Sequence, residues 1–255
     1  MIIGKKQIER EVDKIRHFTP PTTIAIDGPA GTGKSSIARR LAQHYDYLYF
    51  SAGEVYRAVT YAGLEKSINL GHKNSEDLMH IMLNYFDLKY QVIDTPQGKK
   101  MAIYFEGEMI SDRLHTDTLS TLTPTVAQYP FVREYVRNIQ RTLANKYDIV
   151  MEGRDIGTVV LPHATHKFFL TASPEVRAER RLHQYQTDGK NPPEYEVILS
   201  HIIERDRLDS DRAFSPLRPA IDAVIIDNSC LSIEQNLDIL IDNIDAKIKT
   251  NEMTK

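Results

Sequence analysis

The sequence has little that would place the protein outside a reducing, aqueous compartment. Of its 255 residues only Cys230 is a cysteine, which excludes an internal disulfide bond and is typical of a reducing compartment. It contains no run of about 18 or more apolar residues, and its N-terminal region lacks the apolar segment of a secretion signal. We therefore expect a cytoplasmic protein with no membrane partner.

The sequence also lacks an excess of charge of either sign. Lys and Arg number 32 and Asp and Glu number 35, so the formal net charge is -3. Because nucleic-acid binders are usually strongly basic, we expect no nucleic-acid partner. Hydrophobic residues make up 41% of the chain, enough to bury the core of one α/β domain with insertions or of two small domains.

A glycine-rich stretch lies between a short apolar run and an amphipathic segment. Gly28, four intervening residues and then Gly33-Lys34-Ser35 fit the phosphate-binding P-loop pattern. Glycines allow the backbone to turn successive N–H groups around an anion, and the helix that follows directs its partial positive end at the same anion. The alternative is a tight strand-to-helix turn without a ligand, but the strand, loop, Gly-Lys-Ser triplet and helix all occur in the required order.

The P-loop pattern assigns roles to particular residues. Lys34 is expected to reach the β- and γ-phosphates of a nucleoside triphosphate, and Ser35 to offer its hydroxyl to Mg²⁺. The candidate nucleotide-binding residues are Gly28, Pro29, Ala30, Gly31, Thr32, Gly33, Lys34, Ser35 and Ser36.

Strands and helices alternate along most of the chain, which predicts a parallel sheet covered on both faces. A strand at 47–50 leads to a helix bearing Arg57, and a strand at 148–151 leads into the glycine-flanked charged segment 152–160. Ligands gather at the carboxyl ends of such strands, so both places are candidate substrate contacts; the alternative for Arg57 is a solvated surface charge. The other predicted elements are helix 131–145, strand 167–170, a helix from Ser173, helix 194–211, strand 223–227 and helix 232–249.

The alternation breaks between residues 64 and 130. Two β-rich runs, 86–93 and 100–110, are separated by a turn-forming segment at 94–98. They predict an antiparallel hairpin inserted into the parallel fold, or a small mobile subdomain. Residues 116–126 contain Pro124 and are predicted to be an irregular connection.

The first 20 residues form an extension that the P-loop does not require. Ile8, Val12, Ile15 and Phe18 recur at near-helical spacing, which predicts an amphipathic helix ending before Pro20. We expect this helix to pack on the core; a role in docking a partner is the alternative.

Three arginines, Arg177, Arg180 and Arg181, share one face of a predicted helix. They favour a lid that lowers guanidinium groups onto a transferring phosphoryl group, whose oxygens match their planar forks. The structural alternative requires acidic partners, for which Glu175 and Glu179 are the nearby candidates.

A second group, Arg205, Asp209 and Arg212, also shares a helical face. One interpretation is an intrahelical salt bridge of about 0.3–0.5 kcal/mol. The other is that a single carboxylate orients two arginines toward a phosphate or a sugar hydroxyl.

Five segments, in unbroken order over about residues 22–245, resemble the signatures of bacterial cytidylate kinase, a family of P-loop nucleoside monophosphate kinases. The P-loop is common to many NTPases, whereas the Gly-Arg-Asp-Ile-Gly-Thr-Val-Val and Arg-Asp-x-x-Asp-x-x-Arg patterns are far more specific. The segments are 28–34, 53–59, 152–160, 171–181 and 205–213.

The resemblance implies transfer of the ATP γ-phosphoryl group to CMP or dCMP, with ATP as co-substrate and Mg²⁺ as cofactor. It also implies an α/β P-loop kinase fold with a central parallel sheet. Its parts would be a core at 21–63 and 131–255, a small β-containing monophosphate-binding insertion at 64–130 and a helical lid at about 173–193. We expect a monomer. Phosphorylation of UMP, AMP or a non-nucleotide alcohol, and nucleotide sensing without turnover, are the alternatives.

The resemblance also implies roles for particular side chains. The expected catalytic residues are Lys34, Arg154, Asp155, Arg177 and Arg181. The expected substrate-binding residues are Ser51, Arg57, Arg133, Arg154, Asp155, Arg205, Asp209 and Arg212. The only residue expected to bind the metal directly is Ser35, with Asp27 and Glu152 orienting its water shell.

Four positions depart from the family pattern. Ser51 replaces an aspartate, Ala52 a serine or threonine, His115 an arginine and Pro124 a base-contacting serine. The resemblance therefore does not carry over how cytosine is recognised. Nearby hydroxyl groups could come from Ser51, Thr123 or Thr125.

Overall fold

The computed structural model describes residues 20–70, 75–83, 85–212 and 215–253. The helix predicted around Ile8 to Phe18 lies outside these residues. Eight strands of the described part form one sheet. They are β1 (Thr23–Asp27), β2 (Leu48–Ser51), β3 (Leu88–Thr95), β4 (Gly98–Phe105), β5 (Glu108–Met109), β6 (Ile149–Gly153), β7 (His166–Thr171) and β8 (Val224–Asp227).

The helices of the described residues are α1 (Lys34–Tyr45), α2 (Ala52–Glu65), α3 (Ser75–Leu83), α4 (Asp117–Val126), α5 (Pro130–Ala144), α6 (Pro174–Thr187), α7 (Tyr195–Ser210) and α8 (Ile233–Met253). The helices predicted within the described residues occur in the expected order, and α3 and α4 lie between them. A 3₁₀ turn (Ser111–Arg113) follows β5, and a π-helical turn (Ile156–Val160) follows β6. Across the described ranges, no helix has the length and apolar character needed to cross a membrane.

The strand order is β3-β4-β2-β6-β1-β7-β8, with β5 paired to β4. Strands from β4 to β8 along this order are parallel, which confirms the predicted α/β architecture. In a parallel sheet the carboxyl ends of the strands lie at one edge. The strand order therefore places the ends of β1, β2 and β6 next to one another.

Each central strand alternates its side chains between two hydrophobic cores. On β1, Ile24 and Ile26 pack with α1 and α8, whereas Ala25 packs on the opposite face with α2 and α5. The second core also includes apolar residues of α3, α4 and the hairpin. The inserted region and the central sheet thus share one continuous core.

The predicted antiparallel hairpin is confirmed by the β3–β4 pairing, which runs from Leu88 opposite Phe105 to Thr95 opposite Gly98. It extends the main sheet, because β4 pairs in parallel with β2 where Tyr49 lies opposite Lys100.

The prediction of an irregular connection at residues 116–126 is wrong, because helix α4 forms from Asp117 to Val126. The side chain of Thr116 caps the helix by accepting a hydrogen bond from Leu119 N at 3.2 Å. Pro124 lies inside the helix, at an ordinary cost of about 3 kcal/mol. Burial of Leu119 and Val126 in the core offsets this cost, and local sequence does not reveal such packing.

Candidate functional site

The carboxyl ends of three adjacent strands bring polar residues together. Asp27 at the end of β1 lies opposite Gly153 of β6, and Ser51 at the end of β2 lies opposite Glu152. The P-loop follows β1, and the segment bearing Arg154 follows β6. This edge of the sheet is therefore where the predicted nucleotide and substrate residues meet.

The loop after β1 has the backbone conformation that a P-loop requires. Gly28 has φ 148°, and a Cβ atom there would lie 2.0 Å from the Leu170 carbonyl oxygen. Gly31 has φ 80°, and its Cβ would lie 3.2 Å from that of Arg177. Helix α1 begins directly after this loop at Lys34, so its free N–H groups face the loop's interior.

Lys34 is held inside the loop to which it belongs. Its ammonium donates a hydrogen bond to the Pro29 carbonyl oxygen at 2.6 Å and to Thr32 Oγ1 at 3.4 Å. Burial, followed by the positive charge of Arg154, lowers the pKa of Lys34 well below its ordinary value. A bound phosphate would oppose both effects, since a nearby anion favours the charged amine.

Glu152 connects the P-loop to the start of α2. Its Oε1 accepts a hydrogen bond from Ser51 Oγ at 2.5 Å and from Ser35 Oγ at 3.1 Å. A hydroxyl beside a carboxylate is oxygen chemistry that suits Mg²⁺, which binds few protein ligands and takes the rest from water and phosphates. No group of three or more His, Cys, Asp or Glu side chains in the described ranges forms a separate metal cluster.

Five arginines from separate elements converge beside the P-loop, and we refer to them as the arginine cluster. Burial, followed by Arg154, Arg57 and Arg212, lowers the pKa of Arg205 to about 9. Burial, followed by Arg133 and Arg154, lowers the pKa of Arg212 to about 10. These effects place Arg57, Arg154 and Arg212 close enough to Arg205, and Arg133 close enough to Arg212, for their charges to repel one another. The members are Arg57, Arg133, Arg154, Arg205 and Arg212.

Part of the arginine cluster has hydrogen-bonding capacity that the protein does not use. Nε of Arg205 and Nε of Arg133 are buried, and within the described residues neither has a hydrogen-bond partner. Buried donors are nearly always satisfied, so two orphaned guanidinium nitrogens in one positive site indicate an anionic ligand.

Two buried carboxylates hold much of the cluster in place. Asp155 accepts a hydrogen bond from Arg133 at 2.6 Å. Asp209, which is 2% exposed, accepts one from Arg154 at 3.0 Å and a second from Arg212. One carboxylate therefore orients two arginines, as one of the two interpretations stated. The two arginines are not the pair that the sequence predicted, because Arg154 binds Asp209 in place of Arg205. The predicted helical face is also incomplete, because α7 ends at Ser210, before Arg212.

Arg177 lies behind the P-loop. The residue is 2% exposed, and its guanidinium donates two hydrogen bonds to Asp206 at 3.0 and 2.5 Å and another to the Ala30 carbonyl oxygen at 3.2 Å. The acidic partner thus comes from α7, in place of the Glu175 or Glu179 considered from sequence. In this structure Arg177 supports the loop, and its contact with a transferred phosphoryl group stays a prediction.

Arg180 supports the same loop through an asparagine. It donates hydrogen bonds to Asn228 Oδ1 at 3.0 Å and to the Asn228 carbonyl oxygen at 2.8 Å. Asn228 in turn donates to the Thr32 carbonyl oxygen at 2.8 Å. The residues predicted as one arginine face are therefore divided, with Arg177 and Arg180 directed at the P-loop.

Arg181 is directed at the cleft. A cavity of about 130 Å³ has both Arg181 of α6 and Arg57 of α2 in its wall. Arg181 lies 4.7 Å from the Tyr185 ring centroid and donates a hydrogen bond to Gln184. Among the three arginines of this helix, Arg181 is the one that faces the arginine cluster.

The geometry can be compared with known proteins. The protein-family model described as cytidylate kinase matches residues 24–246. The chain belongs to the cytidylate kinase family. It is 42% identical over 224 residues to the cytidylate kinase of Desulforamulus reducens, covering 88% of this chain and 97% of that protein. It is 40% identical over 224 residues to that of Bacillus licheniformis (88% and 96%) and 39% identical over 225 residues to that of Bacillus subtilis (88% and 97%).

Two of the positions considered for base recognition in this cytidylate kinase family member are engaged within the protein. Ser51 donates its hydroxyl proton to Glu152, and Thr123 donates its own to Thr60 Oγ1 at 3.2 Å in a buried contact. Thr125 is exposed, and His115 lies with Nε2 3.8 Å from Glu54 Oε1.

Sequence reasoning missed Asp206 and Asn228, the partners of Arg177 and Arg180. Asp206 lies in the recognised Arg-Asp-x-x-Asp-x-x-Arg segment, so its charge was visible. Its partner was not, because the pairing depends on how α6 packs against α7. For Asn228, its position directly after strand β8 was the available signal.

Proposed function

We propose that this protein transfers the γ-phosphoryl group of ATP to CMP or dCMP, giving ADP and CDP or dCDP. Membership of the cytidylate kinase family supports the reaction. The observation that carries it is the convergence of five arginines, two with orphaned Nε donors, on a P-loop that already holds a lysine. A nucleotide-binding protein without an anionic acceptor has no use for the second set of charges.

The two sides of the cleft would divide the work. On the donor side, the loop amides and Lys34 bind the β- and γ-phosphates. Ser35, backed by Glu152, would hold Mg²⁺, which would neutralise negative charge on the donor phosphates. On the acceptor side, the arginine cluster binds the monophosphate and directs its oxygen at the γ-phosphorus.

The proposed chemistry requires alignment more than a reactive side chain. Phosphoryl transfer passes through a loose transition state, so aligning the donor and acceptor and stabilising charge supply most of the catalysis. Asp155 and Asp209 fix Arg133, Arg154 and Arg212 in advance, which reduces reorganisation during the reaction. Arg181 adds a positive charge from α6, and closure of a lid at about 173–193 would exclude water.

We assign acceptor binding in part to the inserted region, residues 64–130. The Ala127 carbonyl oxygen of this region accepts a hydrogen bond from Arg133 at 3.1 Å. His115 and Asp117 belong to the wall of the same cavity as Arg57. These contacts support a role for the insertion in closing over an acceptor nucleotide.

The test is an ADP-release assay with ATP, Mg²⁺ and each of CMP, dCMP, UMP and AMP, with a reaction lacking acceptor as the blank. We expect ADP formation to depend on CMP or dCMP and to be at least about tenfold slower with UMP or AMP. Preference for UMP or AMP would reassign the acceptor. ATP binding without acceptor-dependent ADP release would make the protein a nucleotide sensor and overturn the proposal.

A further inference from the structure

Asp27 is a buried carboxylate that the mechanism above does not use directly. It is the last residue of β1 and 4% exposed. Its Oδ1 accepts a hydrogen bond from Ile156 N at 2.9 Å, and its Oδ2 accepts one from Gly157 N at 2.7 Å. These two N–H groups begin the π-helical turn, so the carboxylate caps this turn from a different strand.

This carboxylate has no ion-pair partner within the described part of the chain. Burial raises the pKa of Asp27 to about 7, although its two backbone hydrogen bonds act in the opposite direction. Burying an unpaired carboxyl group is unfavourable, and an apolar residue would fill a strand end at lower cost. An apolar residue, however, could not accept the hydrogen bonds from Ile156 N and Gly157 N.

The two hydrogen bonds of Asp27 join two parts of the active site. Asp27 directly precedes Gly28, the first residue of the P-loop. Ile156 directly follows Arg154 and Asp155, which bind Asp209 and Arg133. The single side chain of Asp27 therefore connects the donor loop to the segment that organises the arginine cluster.

Gly157 allows this connection to be short. A Cβ atom at Gly157 would lie 3.4 Å from Asp27 Oδ2 and 3.3 Å from Lys167 Cδ. Lys167 is itself held by hydrogen bonds to Asp222 at 2.8 Å and to the Pro162 carbonyl oxygen at 2.5 Å. A Cβ atom at position 157 would thus be in tight contact with the Lys167 side chain and in ordinary van der Waals contact with the carboxylate.

We propose that Asp27 is a positioning residue for phosphoryl transfer, whose carboxylate fixes the distance between the P-loop and the Arg154-Asp155 segment. This inference rests on the proposed kinase function. Asp27 acts through Arg154 and Asp155, so its loss should impair alignment of the acceptor with the donor and leave the P-loop able to bind ATP.

The main experiment compares Asp27→Asn with Asp222→Asn in the full-length protein. The asparagine keeps the shape but presents an NH₂ group to one of the two N–H donors, so one hydrogen bond becomes a repulsion. We expect kcat with CMP to fall by about 10- to 100-fold, while the Kd for ATP, measured calorimetrically without acceptor, changes by less than about threefold. Asp222→Asn changes a carboxylate that reaches this turn only through Lys167, which keeps its hydrogen bond to the Pro162 carbonyl oxygen, and it should leave kcat unchanged.

Two further experiments extend the test, and the first of them stays decisive if Asp27→Asn folds poorly. Gly157→Ala retains the carboxylate but places a methyl group against the Lys167 side chain, which should shift the Gly157 N–H from the carboxylate and lower kcat with little change in ATP affinity. In a double-mutant cycle, Asp27→Asn should lower kcat by less than about threefold once Arg154→Ala is present, because both act on the same alignment.

The outcomes separate this inference from the proposed function. If the wild-type protein shows no CMP-dependent ADP release, the function fails. If the wild type is active and Asp27→Asn keeps its kcat, or weakens ATP binding as much as it lowers kcat, the positioning role is wrong. Independent, multiplying effects of Asp27→Asn and Arg154→Ala would also overturn it.

Discussion

The donor and acceptor sides of the cleft are built in opposite ways. The donor side is one contiguous segment, residues 28–36, made of the loop and the first residues of α1, in which backbone amides and a single lysine supply the binding groups. The acceptor side takes its five arginines from α2, α5, the segment after β6, α7 and the segment after α7, and fixes several of them with Asp155 and Asp209. A local motif can produce an anion site by itself, whereas a cluster of like charges requires a folded protein and buried counter-charges.

This difference predicts how each side responds to substitution. Backbone amides cannot be removed by changing a side chain, so the donor side depends on Lys34 and on the supports behind the loop. The acceptor side has redundant positive charge but depends on carboxylates shared between arginines. Substitutions should therefore separate ATP affinity from acceptor-dependent turnover.

The largest effect is expected for Lys34→Ala. The variant loses the only lysine in the loop, and with it the charge placed to meet the γ-phosphate in the transition state. We expect kcat to fall by at least about 1,000-fold, with CMP affinity within about threefold of wild type. ADP release and calorimetric CMP titration measure the two quantities, with Lys146→Ala as an exposed lysine control. An equal loss of CMP affinity would show that the two sides are not separate.

Arg154→Ala is expected to give the next largest effect, on the opposite side. It removes one guanidinium from the cluster and one of the two partners of Asp209, which is 2% exposed. We expect kcat/KM for CMP to fall by about 100-fold or more, with ATP affinity little changed. The control is Arg207→Ala, whose side chain is 59% exposed and pairs with Glu204 on the surface of α7. Unchanged steady-state kinetics for Arg154→Ala would remove this residue from the site.

The same contrast explains what could be predicted from sequence. The P-loop, the parallel sheet and the hairpin follow from short patterns, since glycine spacing, strand–helix alternation and turn residues act locally. The pairing of Asp209 with Arg154 joins residues 55 positions apart. Helical spacing instead suggested Arg205 as a partner of Asp209, because spacing shows only which residues share a face of one helix.

Two further differences between the sequence-based predictions and the structure also arise from tertiary packing. Pro124 favoured an irregular segment, but packing of α4 against the core stabilises a helix there. Arg177 and Arg181 lie one helical turn apart and were treated alike. The presence of Asp206 on α7 draws Arg177 behind the P-loop, while Arg181 stays in the cleft. Both outcomes depend on tertiary neighbours.

Comparing Arg177→Met with Arg181→Ala would sharpen the distinction between loop support and cleft contact. Arg177→Met leaves Asp206 without its partner, and Asp206 is only 25% exposed, so we expect the free energy of unfolding to fall by about 2–3 kcal/mol and ATP affinity to weaken by about tenfold. Arg181→Ala should lower kcat by about tenfold with almost no change in stability. Urea unfolding and ATP titration distinguish them. Identical behaviour of the two variants would mean that α6 acts as one unit.

The most gradual effect, spread over several pH units, concerns Asp27, which connects the two sides. Its pKa is raised from 3.8 to about 7 in the folded protein, so folding favours the neutral form. The resulting stabilisation is fully present below about pH 3.8 and is lost as the pH rises toward 7, because the unfolded chain releases this proton first. Between pH 5 and 7 the free energy of unfolding of wild type relative to Asp27→Asn should therefore fall, by at most about 1.4 kcal/mol per pH unit. Urea unfolding of both proteins at several pH values measures this slope. A difference that stays constant with pH would mean that Asp27 is already ionised in the folded protein, stabilised by its two N–H donors more strongly than burial opposes it.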